Sequence, residues 1–264
     1  MKQYIQAYKF GISDAIAYRM RMVIWFLQST MWICILPFIW LNIFGAQESI
    51  AGFTKVMLLT YFFFVPLIEG LTYHHVDYNI QQEIRDGQIV NFIIKPVKYL
   101  IYHFFVEMGY KTIGLFPPII TMLVIYPFVK NFISLPDFSL YILWVIPVIV
   151  LGSLVGFLIS GIIGLVAFWT TRAEWAMHLW WMLSTFVGGF VAPLEFFPVG
   201  AQKLISYTPF PLLINTPISI LLGSITTEQI IHQIILGTVW VAALFLITSF
   251  MYKRGIRRIE GIGI

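Results

Sequence analysis

Six apolar blocks, each about twenty residues or longer and separated by short polar breaks, constrain this chain more than anything else in it. A helix needs about 20 such residues to cross a hydrocarbon core of about 30 Å. The stretches Met22–Phe44, Phe53–Tyr73, Leu100–Val129, Leu140–Trp169, Trp175–Leu194 and Ile230–Tyr252 meet that length. Their apolar residues do not alternate with polar ones, as the strands of a membrane barrel require. Over the 264 residues 59% are hydrophobic and 11% charged, whereas soluble domains carry about 25% charge. The reading is an all-α polytopic membrane protein with six transmembrane helices, folded as a single domain over residues 1–264.

Charge placement orients it. Lys2, Lys9, Arg19, Arg21, Arg85, Lys95, Lys98, Arg172, Lys253, Arg254, Arg257 and Arg258 fall on one side of a six-span arrangement, against Lys55, Lys130 and Lys203 on the other. Basic residues collect on the cytoplasmic side, so both termini are predicted to be cytoplasmic, in the cell membrane. The formal charge of +4 is thereby a topology signal, not a sign of nucleic-acid binding. The lone Cys34 sits in the first apolar block, which leaves no disulfide framework and no cysteine metal site.

Between the spans lie four further segments. Residues 1–21 place Tyr4, Ile5, Tyr8, Ile12, Ala15 and Ile16 at spacings of three to four, the pattern of an amphipathic interfacial helix. Residues 195–229 are apolar but broken by Pro198, Pro209, Pro211 and Pro217, which predicts an outer re-entrant hairpin of kinked helices. Residues 253–264 form a basic tail. The polar stretch 74–99 is the longest charged interruption of the chain. Its centre places Glu83, Arg85, Asp86 and Gly87 ahead of Ile89 and Phe92, and Lys95-Pro96 ends it. Two readings fit: a short helix that docks into a groove of a soluble partner, or a solvated loop on the headgroups.

No phosphate-binding G-x-x-x-x-G-K-[ST] run, H-E-x-x-H or G-x-S-x-G is present. His74, His75 and Asp77 are the nearest approach to a metal constellation, but adjacent helical residues point about 100° apart. No metal site is expected.

The run Gly87-Gln88-Ile89-Val90-Asn91-Phe92-Ile93-Ile94-Lys95-Pro96-Val97 resembles the loop after the second span of type-2 ATP-binding-cassette (ABC-2) export permeases, in the multidrug- or viologen-exporter-like branch. Pro193-Leu194-Glu195-Phe196-Phe197-Pro198 is similar to that family's motif after the fifth span, and Tyr252–Gly263 to its ending. The resemblance covers nearly the whole chain. It implies a permease subunit without an ATPase site of its own, moving an amphipathic or drug-like molecule out of the cell. Two separate ABC ATPase subunits would bind ATP and Mg, and a second permease, identical or homologous, would complete the pathway. Glu83, Ile84, Arg85, Asp86, Gly87, Ile89 and Phe92 would then form the coupling element. The alternatives are an ATP-independent secondary transporter, with Glu107 carrying the proton, and an intramembrane metal-dependent or lipid-modifying enzyme using His74, His75, Asp77 and Glu69.

Charges within spans cost about 2.5–3.5 kcal/mol near the centre and need an account. Glu107 and Lys111 stand one turn apart in the favourable order for a self-neutralising pair. Glu69 is placed to pair with Lys111 or to face water, and Glu195 to steady the hairpin or meet an emerging substrate. Gly152, Gly156, Ser160 and Gly164 make a stripe of small residues, for close packing either against a second permease or within the subunit. Trp25, Trp169, Trp175, Trp180 and Trp181 read as one interfacial belt, Trp40 and Trp144 as the other.

Overall fold

The computed structural model describes residues 2–93, 97–136, 143–170 and 173–260, without the side chains of Arg19, Ile93, Ile259 and Glu260. Lys95, Pro96, Arg172, the start of the fourth expected span at Leu140 and the tail glycines Gly261 and Gly263 lie outside the described residues.

Twelve α-helices appear among them: α1 (Lys2–Ala17), α2 (Arg19–Phe44), α3 (Lys55–Thr72), α4 (Val76–Arg85), α5 (Val90–Ile93), α6 (Tyr99–Gly114), α7 (Phe116–Val129), α8 (Val145–Leu165), α9 (Glu174–Val187), α10 (Val199–Ser206), α11 (Asn215–Leu221) and α12 (Thr227–Glu260). A two-residue hairpin, β1 (Ser49–Ile50) with β2 (Phe53–Thr54), joins α2 to α3. Among the described residues five helical stretches are long and apolar enough to cross a membrane: Met20–Phe44, Lys55–Arg85, Tyr99–Val129, Val145–Phe168 and Thr227–Arg258. The fold is an all-α polytopic membrane protein. The fifth expected span differs, since α9 has 14 residues and rises only about 21 Å. Beyond Val187 the chain continues in turns to Pro193, helped by Gly189 at φ +95°.

Two of the long stretches are interrupted. Tyr73, His74 and His75 separate α3 from α4, and Leu115 separates α6 from α7. The second break follows from Pro117 and Pro118, which lack the N–H groups a continuous helix needs and instead occupy the first turn of α7.

The core sits where α3, α4, α8 and α11 meet. Leu58, Tyr61, Val148, Val155, Ile80 and Ile218 are among its buried side chains. By contrast α2, α7 and α12 turn large apolar residues outward at spacings of three to four, as in Leu27, Met31, Ile35 and Phe38 on α2. Such a belt suits lipid and not water. The amino-terminal helix belongs to the bundle: α1 packs along α6, with Ala7, Gly11 and Ala15 buried. A Cβ on Gly11 would strike the Val106 carbonyl, and one on Gly109 the Tyr8 carbonyl, so the two backbones touch at this crossing.

One end of the bundle gathers α1, α4, α5 and the last turns of α8 and α12. Tyr99 stacks on Tyr252, the Lys98 N–H approaches the Tyr4 hydroxyl at 3.4 Å, and Arg85 meets Glu174. The opposite end carries the β-hairpin and the 194–226 hairpin, where Phe196 packs on Trp40 and Phe53.

Candidate functional site

The polar interruption folds as a knuckle. Its helix α4 begins on two side chains from other helices: the His75 N–H donates to Glu107 Oε1 at 3.2 Å, and the Asp77 N–H to Ser160 Oγ at 3.0 Å. Ser160 donates back to Asp77 Oδ1 at 2.9 Å. The orphan N–H groups of a helix start are thus satisfied by partners 32 and 83 residues away in sequence. After Arg85 the chain reverses at Gly87, whose φ of +70° favours glycine, and the short α5 follows.

Seven residues carry the sequence-based coupling expectation, and the fold divides them. Arg85, Asp86 and Gly87 are exposed at the tip. Ile89 is fully buried, Ile84 packs against the core, and the Phe92 ring lies on Tyr99 and Tyr102 at 5.0 and 5.1 Å. Glu83 accepts hydrogen bonds from the Tyr99 hydroxyl at 2.7 Å and His103 Nε2 at 3.0 Å. The apolar members therefore anchor the knuckle in its own bundle and do not offer themselves to a partner. Sequence reasoning missed Gln82, Gln88 and Asn91, which complete the exposed tip. The turn at Gly87 rotates the helical face, which a single periodicity across 83–92 does not register. Arg85 is held by Glu174 of α9 at 2.7 Å.

Above the knuckle, the expected Glu107–Lys111 self-pairing is corrected. Lys111 Nζ donates to the carbonyls of Gly70, Leu71 and Tyr73 at 3.1, 3.0 and 2.6 Å. These are the unpaired acceptors at the carboxyl end of α3, where the helix dipole favours a cation. Glu107, one turn earlier, takes the first N–H of α4, where an anion is favoured. The two side chains splint the break between α3 and α4 from the neighbouring helix. Glu69 lines a cavity of about 120 Å³ together with Trp25, His75, Tyr110 and Lys111. A wider vestibule of about 720 Å³ shares Trp25, His75, Glu107 and Tyr110 and opens between α1, α4 and α6.

His74 Nε2 lies 2.9 Å from Ser153 Oγ, and Asp77 is held by Ser160. Among the described residues no three His, Cys, Asp or Glu side chains are grouped to hold a metal ion.

The small-residue stripe is covered by the chain itself, which favours the second of its two readings, packing within the subunit. A Cβ at Gly152 would strike the Leu212 carbonyl, one at Gly156 the Thr72 carbonyl, and one at Gly164 the Ile80 side chain, while Ser160 is fully buried against Asp77. The Trp belt is corrected at one position: Trp180 is buried and stacks on Tyr73 at 5.6 Å.

At the other end, Asn215 Oδ1 accepts from the Leu194 N–H at 3.0 Å, and Gln202 Nε2 donates to the Glu195 and Phe197 carbonyls at 3.1 and 2.8 Å. It is the backbone of Glu195 that steadies the hairpin. Its carboxylate Oε2 is buried without a partner, and burial pushes that carboxyl above the ordinary range, with its own backbone and Asn215 acting the other way.

No curated protein matches the chain. The family model described as "ABC-2 family transporter protein" matches residues 30–263. That match spans nearly every element above, so the chain belongs to the ABC-2 transporter family, as a multi-pass membrane permease component and not an enzyme.

Proposed function

We propose that the chain is the membrane-spanning subunit of an ATP-driven exporter that moves an amphipathic small molecule outward across the cell membrane. Its termini and the 82–91 knuckle face the cytoplasm, two ABC ATPase subunits bind ATP and Mg there, and a second permease completes the pathway.

One observation carries this reading: the knuckle has a polar, exposed tip on a rigid root. Gln82, Arg85, Asp86, Gly87 and Gln88 are open to a partner, while the root is tied to two other helices. Ile89 is buried, Glu83 is bonded to α6, and α4 starts on Glu107 of α6 and Ser160 of α8. Force applied to such a tip reaches α3, α6 and α8 together, as switching between inward and outward states requires. The basic residues Lys2, Lys9, Arg21, Lys98, Lys253 and Arg254 lie in elements at that same end, which supports its cytoplasmic placement.

The test is ATP-dependent accumulation of a fluorescent amphiphile in inside-out vesicles. Accumulation requires the permease and its ATPase together, and is lost when either is omitted. Uphill movement by the permease alone contradicts the proposal.

A further inference from the structure

Between the 194–216 hairpin and the first turns of α12 lies a cavity of about 450 Å³, within the size range of small-molecule sites. Asn215, Thr216 and Ser219 of α11 line it, with Glu195 from the hairpin and Glu228 and His232 from α12. No lysine or arginine is among its lining residues.

Most amide donors of its walls are already engaged. Gln202 Nε2 is held by two carbonyls, Gln233 Nε2 donates to the Ser206 carbonyl at 3.3 Å, and Asn215 Nδ2 to Ser219 Oγ at 3.5 Å. What the walls offer is acceptors. Glu195 Oε2 is buried with no partner, a state that costs free energy until a donor arrives. Glu228 is exposed, one turn before His232 on α12.

We propose that this cavity binds a primary ammonium group. An ammonium carries three donors and no acceptor, the complement of an orphan carboxylate oxygen beside engaged amides. It satisfies Glu195 and balances Glu228 by charge. A quaternary ammonium has the same charge but no N–H, and it leaves the Glu195 oxygen unpaired. Two sources present this chemistry: the amine of a transported solute and the headgroup of an ethanolamine lipid. Placing the site at the exit of the pathway rests on the export reading; the binding does not.

The full chain, purified into nanodiscs of phosphatidylcholine without any ATPase, is titrated calorimetrically with butylammonium and butyltrimethylammonium. Saturable binding of butylammonium is expected, at least tenfold tighter than that of the trimethyl analogue. Glu195→Gln and Glu228→Gln are each expected to weaken it at least tenfold; Glu228 is exposed, so its variant probes the site without disturbing the core. Including phosphatidylethanolamine separates the sources: competition assigns the site to the lipid headgroup, and unchanged affinity assigns it to a solute amine. Equal affinity for the two cations, wild-type affinity in the Glu195→Gln/Glu228→Gln double variant, or no saturable binding overturns the proposal. Such a result leaves ATP-driven export standing, and loss of ATP-dependent transport leaves the site standing.

Discussion

Lys111→Met removes the cation that closes the carboxyl end of α3 while keeping most of the side-chain volume. Three carbonyls, of Gly70, Leu71 and Tyr73, lose their shared donor. A charge-assisted hydrogen bond contributes about 1.5–3 kcal/mol, but one ammonium supplies all three, so the contributions do not add. Glu107 also loses its neighbouring positive charge. Breaking a buried charged arrangement on one side costs about 3–5 kcal/mol. At about 2–4 °C per kcal/mol for a chain of this size, Tm falls by about 6–20 °C. Thermal unfolding of the purified protein in nanodiscs measures this. Lys55→Met is the control: Lys55 donates to the Gly45 carbonyl at 2.9 Å on an exposed surface, and its loss shifts Tm by less than about 2 °C. Hydrogen exchange localises the damage, with faster exchange expected over residues 73–80 than elsewhere in α3 and α4. A Lys111→Met protein within 2 °C of wild type, with unchanged exchange there, refutes the splint.

Three further outcomes follow from the same geometry. Glu107→Gln keeps an acceptor for the His75 N–H and is expected to preserve both Tm and ATP-dependent transport, whereas Glu107→Ala destabilises by about 1–3 kcal/mol, read as a lower Tm; loss of transport in Glu107→Gln alone, measured in vesicles, favours a proton-carrying role instead. Gly164→Leu forces α8 away from Ile80 of α4 and is expected to destabilise by about 1–3 kcal/mol or more, read as a lower Tm with α4 exchanging fastest. With no ammonium bound, burial raises the Glu195 carboxyl pKa, so the empty site favours its protonated form. Its stabilising contribution is complete below the ordinary value of about 4.3 and is lost as pH rises through the raised value. Glu195→Gln is therefore expected to be more heat-stable than wild type at pH 7.5 and equal to it at pH 4, in paired thermal scans.

The membrane architecture was legible because burial in lipid imposes one rule, long apolar stretches, and the sequence obeys it from Met22 onward. The end of the second span at Tyr73 was legible too, where the polar stretch begins; what holds the chain at that break is tertiary and was not, namely Lys111 and Glu107 on α6. The same two residues were misread as a local pair because an i,i+4 spacing carries its own explanation, while the unpaired carbonyls of α3 are invisible in sequence. The stripe from Gly152 to Gly164 announced close packing but not the identity of its neighbour, and only coordinates place α3, α4 and Leu212 against it. In the knuckle, the charged tip was read as exposed, yet Ile89 and Phe92 were assigned outward. A turn of four residues at Gly87 reverses their face.

The account turns on the 82–91 tip being the cytoplasmic point at which a separate ATPase engages the permease. Cysteine at position 86 in place of Asp86, with the free Cys34 changed to serine, gives a single reporter on that tip. A membrane-impermeant maleimide is expected to label it in inside-out vesicles and not in intact cells, and bound ATPase is expected to block the labelling. Labelling from outside the cell, or full labelling with the ATPase bound, contradicts the account.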